Sequence, residues 1–210
     1  MTNIGVLASG RGSNFQALLA AQNRGEFPGK LVVLISDKPD AGALSIAREN
    51  GIKAVAILPK DFPSREAHET AVLKALEENS VELVCLAGYM RIVSGTLLNI
   101  FHGRMLNIHP ALLPAYPGLH GQKQALTNGA KVSGATVHFV DEGCDTGPII
   151  IQAAVPVEEN DTEETLSARI LKEEHRIYPM AVRLYCEGRL KVENRRVHIL
   201  PPGQKKGEGK

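Results

Sequence analysis

The chain has 210 residues, 43% of them hydrophobic, and its formal net charge is +1. A chain of this size can bury one sizeable core, and its near-neutral charge gives no general attraction for nucleic acids or membranes. No apolar run could span a bilayer and the N-terminus has no signal-peptide pattern, so we expect a cytoplasmic protein.

The first half of the chain alternates short apolar runs with helical patterns. This order is typical of a parallel sheet wrapped by helices. The predicted strands cover residues 4–8, 31–36, 54–58 and 81–87, and the predicted helices cover 15–21, 43–50 and 66–78. Cys85 lies in the last of these strands and is expected in the core.

The second half has a different pattern. A strand over 104–109 leads into a proline-rich loop at 110–118, and a short helix follows. Two strands rich in Val, Ile and Thr flank a turn-rich loop, which predicts an antiparallel pair. The remaining predicted elements are a helix at 122–128, these two strands at 135–140 and 149–157, a helix at 163–187 and a hairpin at 190–194 and 197–200.

The long helix has clear boundary signals, with Asp161 or Thr162 as its N-cap and Gly188 after its end. Pro179 is expected to bend or split it. Residues 201–210 are rich in Gly and Lys and are expected to be disordered.

A glycine-containing loop, Ser-Gly-Arg-Gly-Ser-Asn at 9–14, lies between the first strand and the first helix. Ligands of open α/β sheets bind at this position, where backbone N–H groups and the helix N-terminus attract anions. The loop lacks the Gly-Lys-Ser/Thr of a Walker motif, and Phe15 replaces the third glycine of a dinucleotide fingerprint. A site for a single phosphate is therefore favoured, and the alternative is a tight turn capped by Ser13 or Asn14.

Asn107 and His109 are two positions apart on a predicted strand, so their side chains share one face. An amide can donate to an oxyanion, and an imidazole can move protons near pH 7. The alternative is a hydrogen-bonded pair that closes the strand.

Asp145 lies in a loop of glycines and carboxylates. A carboxylate close to His109 would orient the ring and raise the pKa of the imidazole, although acidic loop residues are more often solvated. Cys144 has no neighbour that marks it as a nucleophile. His138 is interpreted as structural and His68, His102 and His198 as surface residues, and no cluster has the spacing of a metal site.

Four stretches together resemble the phosphoribosylglycinamide formyltransferases of the folate-dependent purine pathway: SGRGSN at 9–14, CLAGYMRIVS at 85–94, LNIHPALLPAYPGLHG at 106–121 and DEGCDTGPII at 141–150. The resemblance extends from about residue 4 to 200. It implies an α/β fold in which a Rossmann-like parallel sheet is continued by a mixed sheet, with helices on both faces. It also implies one domain over 1–200, with a phosphate-binding half at 1–100 and a folate-binding, catalytic half at 101–200.

The resemblance also implies roles for individual residues. Asn107, His109 and Asp145 would be catalytic, and 10-formyltetrahydrofolate would be a cosubstrate, with no tightly bound cofactor. The acceptor's phosphate would be held by Gly12, Ser13 and Asn14, and its ribose by Glu174. The folate pocket would be lined by Arg65, Met90, Arg91, Ile92, Val93, Asp141, Glu142, Gly143 and Cys144. Without the resemblance, Arg91 is a surface cation and Glu174 an exposed helical charge.

Three other functions remain open at this point. A formyltetrahydrofolate hydrolase gives the formyl group to water, and a methionyl-tRNA formyltransferase gives it to a charged tRNA. A nucleotide-binding module without enzymatic activity would use the glycine loop but would leave Asn107, His109 and Asp145 unexplained. The sequence does not predict the oligomeric state.

Overall fold

A computed structural model describes residues 1–204 of the chain, so residues 205–210 of the tail predicted at 201–210 lie outside the described part. The chain forms two compact units that divide between Asn107 and Ile108.

The first unit is a parallel sheet with helices, as the alternating pattern predicted. Its strands pair in the order β3-β2-β1-β4-β5, and each neighbouring pair is parallel. The strands are β1 (Thr2–Leu7), β2 (Gly29–Ser36), β3 (Lys53–Ala56), β4 (Leu83–Leu86) and β5 (Met105–His109), the last of which contains the boundary between the units. The helices are α1 (Ser13–Asn23), α2 (Gly42–Glu49), α3 (Arg65–Glu78) and α4 (Gly95–Leu98), with a 3-10 turn at Pro59–Asp61.

The central strands are buried because apolar residues occupy both faces, which is usual for parallel strands covered by helices. All four residues of β4 are buried, and Cys85 is fully inaccessible, as expected. Gly5 on β1 allows a close approach by α3, since a Cβ atom there would lie 2.7 Å from Cδ2 of Leu76.

The second unit contains a mixed sheet in the order β6-β7-β9-β8. Strands β6 and β7 form the predicted antiparallel pair, β7 and β9 are parallel, and β8 and β9 form the predicted hairpin. Its elements are α5 (Gly121–Thr127), β6 (Val132–Phe139), β7 (Ile149–Pro156), α6 (Glu163–Cys186), β8 (Leu190–Glu193) and β9 (Arg196–Ile199). The predicted α/β class is therefore confirmed.

Helix α6 begins at a capping box. The Thr162 hydroxyl accepts from the Thr165 N–H at 3.2 Å, and the Thr165 hydroxyl accepts from the Thr162 N–H at 2.9 Å. Pro179 lies inside the helix, which continues unbroken to Cys186. The expectation that Pro179 splits the helix is wrong. A proline removes only one helical backbone hydrogen bond, and the burial of Pro179 and its neighbours stabilises the helix despite that loss.

His68 was predicted at the surface but is 1% exposed on α3. Its Nε2 lies 2.9 Å from the carbonyl oxygen of Ile57, and its ring meets the edge of Phe62 with centroids 5.6 Å apart. The aromatic contact and the backbone bond account for the ring face and Nε2, while Nδ1 is buried without a hydrogen-bond partner among the described residues. Within residues 1–204, no helix combines the length and apolar character needed to cross a membrane.

Candidate active site

The loop between β1 and α1 has a backbone that requires glycine. Gly12 has a φ of +86° directly before α1, and a Cβ atom there would lie 2.7 Å from Cα of Ala43. Ser13 and Asn14 then form the first turn of α1. The first N–H groups of a helix have no acceptor inside the helix, so this turn can receive an anion.

A cleft of about 390 Å³ opens beside this loop. Arg11 and Lys38 bring two positive charges to it, against one carboxylate from Asp40. Its lining residues are Ser9, Gly10, Arg11, Lys38, Asp40, Ala41 and Gly42. The charge and the helix terminus together suit a phosphorylated ligand.

Strand β5 presents Asn107 and His109 by simple alternation. Leu106 and Ile108 point away from them and are 0% and 6% exposed. Asn107 is half-buried, whereas His109 is 4% exposed.

The loop after β6 brings Asp145 to His109. Nδ1 of His109 lies 3.3 Å from Oδ2 of Asp145, and Nε2 of His109 lies 2.8 Å from the carbonyl oxygen of Tyr116. Asp145 and Tyr116 both have a φ of +56°. The expected proximity of the carboxylate and the imidazole is thus present, whereas the contact with the Tyr116 carbonyl was not predicted.

Asp145 also contacts a second histidine, His138 on β6. Nε2 of His138 lies 3.5 Å from Oδ1 of Asp145, and the Gly118 N–H donates to Oδ2 at 2.8 Å. Burial opposes ionisation, but the hydrogen bonds from His138 and Gly118 and the nearby histidine charges outweigh it and lower the pKa of Asp145 to about 2. His138 was interpreted as structural, since a lone histidine on an apolar strand carries no functional signal.

The pKa of His109 is lowered from its ordinary value. Burial of the ring is the largest cause, and the Asp145 carboxylate and the Tyr116 carbonyl act against it. The expectation of a raised pKa is therefore wrong in its net direction, although Asp145 contributes with the expected sign. Burial disfavours the charged form of an imidazole, so the resting ring is mainly neutral near pH 7.

The side chain of Asp141 stabilises the loop that follows it. Oδ1 of Asp141 accepts from the Gly143 N–H at 3.1 Å and from the Thr146 hydroxyl at 2.6 Å. Glu142 is exposed. Cys144 is also exposed as a residue. Partial desolvation of its thiol and, after it, the neighbouring Asp145 charge raise the pKa of that thiol. A raised pKa disfavours the thiolate, which argues against Cys144 as a nucleophile.

The residues expected around the folate differ in exposure. Met90 and Ile92 are each 60% exposed, Arg91 is half-buried and Val93 is 6% exposed. Arg65 donates from Nη2 to the carbonyl oxygen of Ile92. These contacts belong to the first unit.

Glu174 on α6 is 7% exposed. The alternative that it is one more exposed helical charge is therefore wrong, and a buried carboxylate fits a specific role better. In the described part of the chain, no group of three or more His, Cys, Asp or Glu side chains is arranged to hold a metal ion.

Comparison with known proteins decides between these interpretations. Residues 2–182 match the formyl transferase family. The chain belongs to that family. Phosphoribosylglycinamide formyltransferase of Escherichia coli is 42% identical over 204 residues, which are 95% of this chain and 96% of the relative. The structure of glycinamide ribonucleotide transformylase 1 from Symbiobacterium toebii is 56% identical with a TM-score of 0.95, covering 96% of this chain and 95% of that one.

Two further proteins that resemble this chain are longer than it. The trifunctional purine biosynthetic protein adenosine-3 of Drosophila melanogaster is 48% identical over 188 residues, but the match spans only 14% of its length. A formyltetrahydrofolate deformylase from Pseudomonas syringae is 25% identical with a TM-score of 0.88, and 66% of that chain is covered. The relatives therefore favour a phosphoribosylglycinamide formyltransferase over a hydrolase.

Proposed function

We propose that this chain transfers the formyl group of 10-formyltetrahydrofolate to the amine of phosphoribosylglycinamide, a step of purine biosynthesis. The observation that carries the proposal is the pairing of buried His109 with Asp145, whose pKa of about 2 keeps it ionised. His109 follows Asn107 by two positions on β5. An amide donor and a proton carrier are the groups that acyl transfer requires.

The reaction begins when the acceptor's amine attacks the formyl carbon attached to N10 of the folate. The carbonyl oxygen becomes an oxyanion, to which the Asn107 amide donates; a donor of this kind contributes about 3 kcal/mol in comparable sites. In neutral His109, Nε2 carries the hydrogen that is donated to the Tyr116 carbonyl, so Nδ1 is the nitrogen that takes the proton released by the amine. Asp145, 3.3 Å from Nδ1, stabilises the imidazolium that results.

The tetrahedral intermediate then collapses. The bond between the formyl carbon and N10 breaks, and His109 returns its proton to N10, directly or through water. The products are the formylated acceptor and tetrahydrofolate, so the folate is a cosubstrate that leaves after each turnover. No covalent bond to the protein forms.

The two substrates are assigned to different sets of residues in this proposal. Gly12, Ser13 and Asn14 hold the acceptor's phosphate, supported by the cationic cleft beside them, and Glu174 holds the ribose. The folate contacts Arg65, the 90–93 segment and the 141–144 loop. The proposal includes a cytoplasmic location and small-molecule partners, which a net charge of +1 suits.

The test is a comparison of acceptors. Purified protein and 10-formyltetrahydrofolate are mixed with phosphoribosylglycinamide, with glycine, or with buffer alone, and the folate absorbance is followed. We expect rapid deformylation only with phosphoribosylglycinamide. Equal rates in buffer alone would indicate a hydrolase, and no reaction in any mixture would contradict the proposed activity.

A further inference from the structure

The 88–94 segment connects β4 to α4 in the first unit. It leaves Met90 and Ile92 60% exposed, while Val93 is 6% exposed. Two large apolar side chains held out to solvent on a short loop require a rigid backbone if they are to present one fixed surface to a ligand.

Two hydrogen bonds with Ser9 fix the beginning of the segment. The Met90 N–H donates to the Ser9 hydroxyl at 2.9 Å, and the Ser9 N–H donates to the Gly88 carbonyl at 3.0 Å. Ser9 is the first residue of the glycine-containing loop.

Glu69, on α3, fixes the end of the segment. Its carboxylate accepts from the Ser94 N–H, at 3.1 Å to Oε1 and 3.2 Å to Oε2, and from the Ser94 hydroxyl. Arg65, one turn earlier, places Nε 3.1 Å from Oε1 of Glu69 and donates from Nη2 to the Ile92 carbonyl. Carboxylate and guanidinium therefore hold the segment at two successive points.

The burial of Glu69 makes this arrangement sensitive to the position of the segment. The residue is 4% exposed, and a buried carboxylate is tolerated only while its hydrogen-bond partners are in place. If the segment moved away, the carboxylate would lose the Ser94 donors. Burial of the charge thus favours one position of the segment over the alternatives.

We propose that Glu69 is a positioning residue for the folate cosubstrate. Glu69 fixes the 90–93 segment through its contacts with Ser94 and Arg65. This inference rests on the proposed function, because it requires that the 90–93 segment lines the folate site. Glu69 itself touches neither substrate.

The first test compares Glu69→Gln with Glu77→Gln, the same substitution at an exposed position of α3. Glutamine keeps the size but turns one acceptor into a donor that faces Arg65 or Ser94. Loss of a hydrogen bond to a charged group costs about 1.4 kcal/mol or more, so we expect a roughly 10-fold rise in the KM for 10-formyltetrahydrofolate. The KM for phosphoribosylglycinamide should change less than about twofold, and Glu77→Gln should change neither.

A second pair of variants keeps the inference testable if Glu69→Gln does not fold. Ser94→Ala removes the hydroxyl that donates to Glu69 and also the N-cap of α4. Ser64→Ala removes the N-cap of α3 without touching the segment. Calorimetric titration with tetrahydrofolate should show about threefold or greater weakening in Ser94→Ala and none in Ser64→Ala, since the hydroxyl contributes about 0.7 kcal/mol or more.

The N-methylamide of tetrahydropteroate, which keeps the amide group of folate but carries no carboxylate, separates the segment from the Arg65 charge. We expect Glu69→Gln to weaken the binding of this amide and of tetrahydrofolate to the same extent. Weakening confined to tetrahydrofolate would mean that Glu69 acts only by aiming Arg65 at the glutamate, and unchanged binding of both would mean a structural role; either overturns the inference. Failure of the proposed function is a separate result, namely no formyl transfer by the unmodified protein.

Discussion

Asp145 is a single carboxylate placed against two imidazoles. Oδ2 faces His109 and Oδ1 faces His138, at 3.3 and 3.5 Å, and its side chain is 13% exposed. Burial lowers the pKa of His109 and the carboxylate partly restores it. This balance favours the neutral ring, which is the form that the proposed proton transfer requires.

His109→Ala should leave the fold intact and lower kcat by about 100-fold or more, because it removes the proton carrier. His102→Ala, which removes an exposed histidine, is the control and should retain normal turnover. The measurement is steady-state kinetics with circular dichroism as a check on folding. Near-normal turnover in folded His109→Ala would remove this residue from the mechanism.

Asp145→Asn should lower the pKa of His109 further, since the Asp145 charge is a cause that raises it. An opposite charge at this distance is worth ~1–3 pKa units. Because the neutral ring takes the amine's proton, the acid limb of kcat/KM should move to lower pH while the maximum falls. Titration of His109 by NMR and a pH–rate profile test this.

The control for that titration is Glu159→Gln, which neutralises an exposed carboxylate elsewhere in the second unit. It should leave the His109 titration unchanged. The double variant Asp145→Asn with His109→Ala should be little slower than His109→Ala alone, because the two groups act as one unit. Additive effects or an unchanged His109 pKa would contradict the pairing.

At the scale of elements, helix α1 has a left-handed glycine at each end, with different surroundings. Gly12→Ala would force a Cβ atom to within 2.7 Å of Ala43 at a φ of +86°, whereas a Cβ atom at Gly25, with a φ of +70°, meets nothing within 4 Å. We expect Gly12→Ala to raise the KM for phosphoribosylglycinamide far more than that for the folate. Gly25→Ala is the matched control, and equal rises for both substrates in Gly12→Ala would indicate general disruption of the turn.

The capping box of α6 makes a separate prediction about stability. Thr162→Ala removes the hydroxyl that accepts from the Thr165 N–H and should lower the free energy of unfolding by about 1 kcal/mol. Thr70→Ala, at an exposed position inside α3, should change it by less than about 0.5 kcal/mol. Urea unfolding of the three proteins makes the comparison, and equal stabilities would show that the cap is not needed.

The sequence predicted the longer elements well because their signals are local. Apolar runs located β1, β2 and β4 to within two residues of their observed ends, and Thr162 was one of two caps proposed for α6. The four-residue helix α4 was missed, since one helical turn is too short to show a periodicity. Pro179 does not split α6, one of the two outcomes expected from its local signal, because tertiary burial stabilises the helix there.

The candidate site was only partly predictable. Alternation along β5 placed Asn107 and His109 on one face, but the proximity of His109 to Asp145 depends on the loop after β6 and was expected only from the family resemblance. The contacts of His138 and Glu69 were not predicted, because each partner is distant in sequence. His138 contacts Asp145, and Glu69 contacts Ser94.

At the scale of the whole molecule, the boundary between the two units falls inside β5, after Asn107. Phosphoribosylglycinamide at 100 times its Kd should raise the free energy of unfolding by about 2.7 kcal/mol. Urea unfolding followed by circular dichroism, with and without this ligand, makes the measurement, and equal stabilities would contradict binding of the acceptor.

The left-handed backbone of Asp145, with its φ of +56°, limits what an alanine scan of this protein could report. Asp and Asn adopt that conformation readily, whereas for alanine it costs about 1–2 kcal/mol. An alanine variant would combine backbone strain with the loss of the carboxylate. An alanine scan would therefore overestimate the contribution of the Asp145 charge to activity. Asparagine is the informative replacement, because only the ionisable group then differs between the two proteins.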